Sequence, residues 1–326
     1  MFRYIVKRVL LALPTLLGIT FITFIIVSSA PGNAAVQQTQ GILDPRASEA
    51  ARKRMEAYWE LDKPWYVRYP KWLGKMAQGD MGYAMSPDGR PVRDKITERL
   101  LPTMSLAIIA MVSSLLIAIP IGLYSAVKQN GFFDSVTSTL LYALYSIPSY
   151  VMAVPLILIV SVQQEWLPFR GMTSDDFEQM NAGEKLADLV KHYLLITFCF
   201  SYGSWAFYSR FVRQNMLEVL RQDYIRTARA KGQKEHVIVL KHAFRNTFIP
   251  MLTLMGLLLP EIISGSVILE VMFNWPGIGR LLFESMLQRD INTIMGLTTM
   301  TACLVLLGML LADIGYAFAD PRVAYD

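Results

Sequence analysis

Three histidines, two cysteines and one acid inside an apolar run are the residues from which chemistry could be built, and their spacing builds no catalytic centre. His192, His236 and His242 lack the separation of a metal pair and have no nucleophile and acid in a recognisable order around them. Cys199 and Cys303 fall inside apolar segments without partner spacing, so they read as packing residues. No Gly-x-x-x-x-Gly-Lys-Ser/Thr phosphate loop occurs, and any nucleotide hydrolysis has to come from another chain. Gly277 and Gly279 stand beside Pro276, where a turn is the ordinary explanation. No residue is therefore assigned to catalysis or to a metal.

Glu261 is different in kind, because it interrupts an apolar run of membrane length together with Pro260. An ionised carboxylate near mid-bilayer is costly and normally faces a cavity or a partner. Glu261 and Ser264 are thus candidate pathway residues, with a buried structural hydrogen bond as the alternative for the acid. Ser264, Gly265 and Ser266 equally suit close helix contact.

The richest pattern is a basic stretch between two uncharged segments. Residues 216–231 have helix-forming composition, with Leu217, Leu220, Tyr224, Ala228 and Lys231 at three- and four-residue steps along one face. Gly232 is a natural terminator, since glycine takes the left-handed conformation at little steric cost. A second helical run, 235–246, follows at once. Small residues at Ala228, Ala230 and Gly232 suit close approach to another protein, while the basic residues also suit anionic lipid.

The elements that must position this elbow are membrane helices. Of the 326 residues 53% are hydrophobic and only 17% charged, against roughly a quarter charged in a typical soluble domain. Six long apolar runs approach the roughly 20 residues a spanning helix needs, at 9–30, 101–127, 135–163, 192–209, 247–271 and 291–312. The first is longer than the apolar core of a signal peptide, about 7–15 residues, so it reads as a retained span. The net charge of +5 does not point to nucleic acid, because the basic residues cluster on short loops beside these runs.

Lysine and arginine set the orientation. Arg3, Lys7 and Arg8 precede the first span, and Arg210, Arg213, Arg221, Arg226, Arg229, Lys231, Lys234, Lys241 and Arg245 follow the fourth. Both places are assigned to the cytoplasm. Alternation puts the acidic loop with Asp175, Asp176, Glu178, Glu184 and Asp188 outside and returns the C-terminus to the cytoplasm. The expected organisation is an N-terminal tail and first span (1–30), an extracytoplasmic segment (31–100), a core of five spans (101–319) carrying the cytoplasmic loop 210–246, and a cytoplasmic tail (320–326). Within the outer segment, 47–61 reads as an amphipathic helix ended before Pro64. Tyr58, Trp59, Trp65, Tyr66, Tyr69, Trp72 and Tyr83 suit the headgroup level.

The run Arg226, Thr227, Ala228, Arg229, Ala230, Lys231, Gly232, followed by His242, Ala243, Phe244, Arg245 and Asn246, resembles the so-called EAA loop of ABC-importer permeases of the peptide and nickel branch. Further words are similar to the first permease subunit of dipeptide and oligopeptide importers. They are Leu61, Asp62, Lys63 and Pro64; Gly79, Asp80, Met81 and Gly82; Leu101, Pro102 and Thr103; Glu270; Asn274 through Arg280; Arg289 and Asp290; and Asp320, Pro321 and Arg322. The usual glutamate and alanine pair is absent at Arg226, Thr227 and Ala228, and Arg245 stands for a late proline, which narrows the match to the peptide branch.

The resemblance implies an all-α, six-span, type I importer permease in a bacterial or archaeal inner membrane. It implies a homologous second permease, two ATP-binding subunits that hold the ATP and magnesium, and an extracytoplasmic substrate-binding protein. It assigns ATPase coupling to Asp223, Tyr224, Arg226, Thr227, Ala228, Arg229, Ala230 and Gly232. Cargo would be dipeptides or oligopeptides, with nickel, glutathione or opines as alternatives on the same architecture. The different class, an ATP-independent secondary transporter, often shows inverted repeats, and the interrupted fifth run here has no matching half. The topology predicts that a cysteine replacing Ser48, in a chain freed of Cys199 and Cys303, reacts with an impermeant reagent in intact cells. Labelling only after permeabilisation would reverse the assignment.

Overall fold

The computed structural model describes residues 2–30, 34–39, 44–248, 250–251 and 265–319, which are helical apart from turns and one isolated antiparallel bridge between Tyr83 and Pro91. Among them Val6–Ser29, Val92–Val127 and Ile291–Leu311 are long and apolar enough to cross a membrane. These carry the expected first, second and sixth runs. The third run is not one straight helix. It divides into Phe132–Tyr145 and Ser149–Gln163, bent by 93°, and counts as a fourth crossing if the pair is one span. Pro148 explains the break, since it lacks an N–H and disfavours helix in Ile147 before it. The fourth run lies inside Ala182–Leu220, a 39-residue helix capped by Asn181 in a capping box with Glu184. Polar ends and Ser201, Ser204 and Ser209 dilute its apolar character. Most of the fifth run lies outside the described residues.

The chain forms two compact units: one of Met1–Thr103, Ile263–Val267 and Pro276–Asp326, the other of Met104–Ile262 and Ile268–Trp275. In the first, α1 (Phe2–Ser29) runs beside the last helix, Ile291–Ala319. The short α2 (Ala34–Thr39) precedes α3 (Pro45–Tyr58), which starts where Asp44 accepts from Arg46 N at 3.0 Å. The helix ends at Trp59, and α4 (Trp65–Ala77) begins after Pro64. Trp59, Tyr69 and Trp72 pack with Phe24, and Tyr69 Oη lies 3.1 Å from Thr20 Oγ1, so these rings tie α4 to α1. Tyr58, Trp65, Tyr66 and Tyr83 stay exposed.

A fully buried carboxylate organises the other side of this unit. Asp290 caps the last helix, accepting from Thr293 N at 3.1 Å and Thr293 Oγ1 at 2.7 Å. It also accepts from Met85 N, Ser86 N and Ser86 Oγ at 2.9, 3.3 and 3.0 Å. Five donors compensate the burial of one charge, and they fix the turn at 85–86 onto the start of that helix.

The second unit is built on two parallel neighbours, residues 104–127 of α5 (Val92–Val127) and α8 (Ala182–Leu220). Ser105 Oγ lies 2.7 Å from Tyr193 Oη, and Ser114 Oγ donates to Ser201 O at 3.5 Å. A Cβ built on Gly122 would stand 2.5 Å from Ser209 O. The near-constant offset along both chains is the signature of helices side by side in the same direction. Close approach is possible because Ala110, Ser114, Ala118, Gly122 and Ala126, every fourth residue of α5, are small and buried. Between them α6 (Phe132–Tyr145) and α7 (Ser149–Leu156, continuing as a π-helical run Ile157–Gln163) return antiparallel to α8. Asp134 receives Arg213 at 2.7 and 2.8 Å, Tyr202 Oη donates to Ile147 O, and Ala153 packs against Leu195 and Ile196.

Gly122→Ala should therefore destabilise the protein by about 1–3 kcal/mol, the usual range for overpacking. Gly203→Ala is the control, because a Cβ there meets nothing within 4 Å. A lowered thermal midpoint for the first variant alone is expected, and equal midpoints would rule out the close crossing.

Candidate coupling elbow

The elbow begins where α8 stops. Arg221 caps α8, its N–H reaching Glu218 O at 3.3 Å, and the chain turns through Gln222 into α9 (Asp223–Ala230). The single helical face expected over 216–231 is thus interrupted, and the periodic count does not carry across the turn. Tyr224 and Lys231 are exposed. The inner face of α9 is instead Ile225 and Ala228, three residues apart, the first fully buried.

These two side chains join Ala126 from α5, Val212 and Met216 from α8, and Ile238, Val239 and Ala243 from the next helical segment in one apolar cluster. Burying an isoleucine-sized side chain contributes about 1.5–3 kcal/mol. The elbow is therefore fastened to the ends of both parallel helices. Sequence reading passed over Ile225, although it is the large aliphatic residue in an otherwise polar helix and stands three residues before Ala228.

Of the residues expected to meet a partner, Asp223, Tyr224, Arg226, Thr227, Arg229, Ala230 and Gly232 are all exposed. Ala228 is the exception, turned into the core. Arg226 lies 3.4 Å from Asp223 one turn back, and Thr227 Oγ1 donates to Asp223 O at 3.0 Å. Tyr224 Oη accepts from Asn246 Nδ2 at 2.9 Å, tying the outer face of α9 to the following segment.

Gly232 ends α9 in a left-handed turn with φ of 74°. Gln233 N reaches Ala228 O at 3.3 Å and Gly232 N reaches Arg229 O at 2.9 Å, the paired bonds of a Schellman motif. A Cβ on Gly232 would meet nothing within 4 Å. Glycine is needed here for its φ, and the space around it is open.

The following segment, α10 (Glu235–Val237) and the π-helical run Ile238–Phe244, is locked to α9 by two polar links. Arg229 forks onto Glu235 at 2.7 and 3.3 Å, and His242 Nε2 lies 2.8 Å from Gln233 Oε1. The guanidinium hydrogen bond holds the Glu235 carboxyl below its ordinary range. Both groups of this pair are about half exposed, so it contributes only about 0–1 kcal/mol. His192 is buried with Nδ1 2.9 Å from Asp188 O, and His236 is exposed, so the histidines serve separate places. Among the described residues no group of three or more His, Cys, Asp or Glu side chains could hold a metal ion. Glu261 and Ser264 lie outside the described residues.

An exposed polar helix, closed by a rigid glycine turn and anchored from beneath on two parallel helices, can receive a push and pass it on. Comparison with known proteins gives this geometry its context. Residues 118–325 match the model of the binding-protein-dependent transport system inner membrane component, and residues 1–107 match its N-terminal companion. The chain is 40% identical over 326 residues to the oligopeptide transport system permease protein AppB of Bacillus subtilis (strain 168), covering all of both chains. It is 34% identical over 325 residues to the glutathione transport system permease protein GsiC of Escherichia coli (strain K12), again over the whole of both. It is 33% identical over 338 residues to the dipeptide transport system permease protein DppB of Alkalihalophilus pseudofirmus, with the same coverage. The all-helical architecture, the apolar spans and these full-length matches place the chain in the family of binding-protein-dependent transport-system inner-membrane components, the multi-pass permeases of ABC importers.

Proposed function

We propose that this permease carries dipeptides or oligopeptides across the membrane in six spans. Its elbow would be driven by two ATP-binding subunits that hold ATP and magnesium. The anchored, outward-facing elbow is the observation that carries the reading, because a coupling element needs an exposed contact and a stiff connection to spans at once. Full-length similarity to an oligopeptide permease supports the cargo. The parallel course of α5 and α8 supports the topology: the chain between them has to recross, and the bent α6–α7 pair is the segment available to do so. The elbow and both termini then face the cytoplasm, and the segment 31–100 lies outside.

In this reading the ATPases close on ATP, press on Asp223, Tyr224, Arg226, Thr227, Arg229, Ala230 and Gly232, and tilt the paired spans from inward- to outward-facing. A second, homologous permease completes the pathway, and a binding protein outside delivers the peptide. ATP binding supplies the differential free energy that any such population shift requires. Glu261 and Ser264 are assigned to the pathway, the carboxylate attracting the cargo's ammonium group.

Liposomes holding the assembled importer test both assignments. Gly232→Asp both disfavours the left-handed turn and sets a charge in the open space of the contact. Uptake per ATP should collapse while the permease stays inserted and folded, whereas Arg226→Ala, at an exposed pair, should be mild. Normal ATPase stoichiometry with normal uptake per ATP in Gly232→Asp would remove the elbow from the mechanism. Glu261→Gln should lower uptake of cationic peptides with ATP hydrolysis intact, and unchanged uptake across peptide charges would return Glu261 to a structural role.

A further inference from the structure

Where α6 runs back along α8, the two helices leave an open groove of about 710 Å³. Its α8 wall is a single stripe at helical spacing, Arg210, Gln214, Glu218 and Arg221, and its α6 wall carries Tyr142. Arg213 also borders the groove, but its charge is taken by buried Asp134. Among the described residues Arg210, Arg221 and Glu218 have no ion-pair partner within 4 Å, so the groove carries two free cations against one free carboxylate. Arg210 is nevertheless held in place, its guanidinium carbon 4.5 Å from the centre of the Tyr142 ring.

The stripe changes character one turn beyond Arg210. Phe207 on α8 is 50% exposed and Tyr145 on α6 is 60% exposed. A cationic pocket thus opens directly onto an aromatic and apolar surface. Arg210 is also the first charged residue after the apolar stretch 192–209, which puts it at the boundary between hydrocarbon and headgroups. A soluble anion or an acidic protein surface would use the charged end alone. An amphipathic anion uses both, and basic pockets between membrane helices on the cytoplasmic side suit acidic lipid headgroups.

We propose that this groove seats the phosphodiester of an anionic phospholipid on Arg210, with Arg221 further along α8 adding to the attraction of the groove for an anion and an acyl chain lying along Phe207 and Tyr145. The leaflet follows from the orientation given under the proposed function, whereas binding itself depends only on α8 crossing the bilayer.

The assembled importer, purified in phosphatidylcholine nanodiscs doped with phosphatidylglycerol, should retain phosphatidylglycerol over phosphatidylcholine when the lipids are quantified by mass spectrometry. The double variant Arg210→Gln with Arg221→Gln should lower that preference roughly thirtyfold, each cation near an anionic surface contributing a factor of about five. The double Arg→Lys variant should keep most of it, which separates loss of charge from loss of fold. Absence of preference in the unaltered importer overturns the proposal without any variant, as does equal retention by the Gln variant. Displacement of the lipid by millimolar inorganic phosphate would identify a free-phosphate site instead. Loss of the ATPase subunits with lipid retention unchanged would make the groove a protein contact. Neither result bears on coupling through Gly232, so the two readings fail separately.

Discussion

The close parallel contact of α5 with α8 is the constraint on which the rest of this permease depends. An approach this close between two helices rests on van der Waals packing of small residues and on short polar contacts. The row Ala110, Ser114, Ala118, Gly122 and Ala126 meets that condition at five positions of α5, each four residues from the next. Gly122 permits backbone contact at Ser209, and the serine and tyrosine hydroxyls add polar contacts higher up. Because the helices run the same way, the end of α5 lies beside the last turns of α8, and Ala126, Val212 and Met216 form a common floor.

That floor is what the elbow stands on. Ile225 and Ala228 insert into it together with Ile238, Val239 and Ala243, while the Schellman turn and the Arg229–Glu235 fork link the two segments. Conformational energy delivered to a loosely tethered loop would be lost in loop motion. A helix buried on one face by well-packed aliphatic groups moves with its support, since packed interiors are close to incompressible. Under the proposed coupling, the exposed face with Asp223, Arg226 and Thr227 needs only complementary shape and modest polar contacts.

Much of this was legible in the residues. Gly232 announced a left-handed cap, and the basic loop and the apolar runs announced a membrane helix bundle. The elbow's buried anchor was not, because a periodic count carried through Arg221 and Gln222 placed Tyr224 and Lys231 on the wrong side of a turn. Helical periodicity has meaning only inside one helix, and neither Arg221 nor Gln222 is a residue type that marks a break. Pro148 could have signalled the bend in the third run, but membrane helices often absorb proline, so the residue alone does not decide between a kink and a break. The small-residue row was present at every fourth position and needed only to be read as a contact surface. Asp290's bonds to Thr293 are local, but its burial was not legible, since its donors at 85–86 lie more than 200 positions away.

The most direct test of the account is whether the elbow moves as one body with its two supporting helices. Spin labels at 226 on α9, at 218 on α8 and at 128 just beyond α5, in a chain freed of Cys199 and Cys303, report those distances by pulsed electron resonance. The account predicts that the nucleotide-free and ATP-trapped importers differ by no more than about 1–2 Å in these distances, the scale of ordinary helix adjustments. A shift of the 226 label well beyond that, with the 218-to-128 distance unchanged, would show the elbow hinging on its own and would contradict the account.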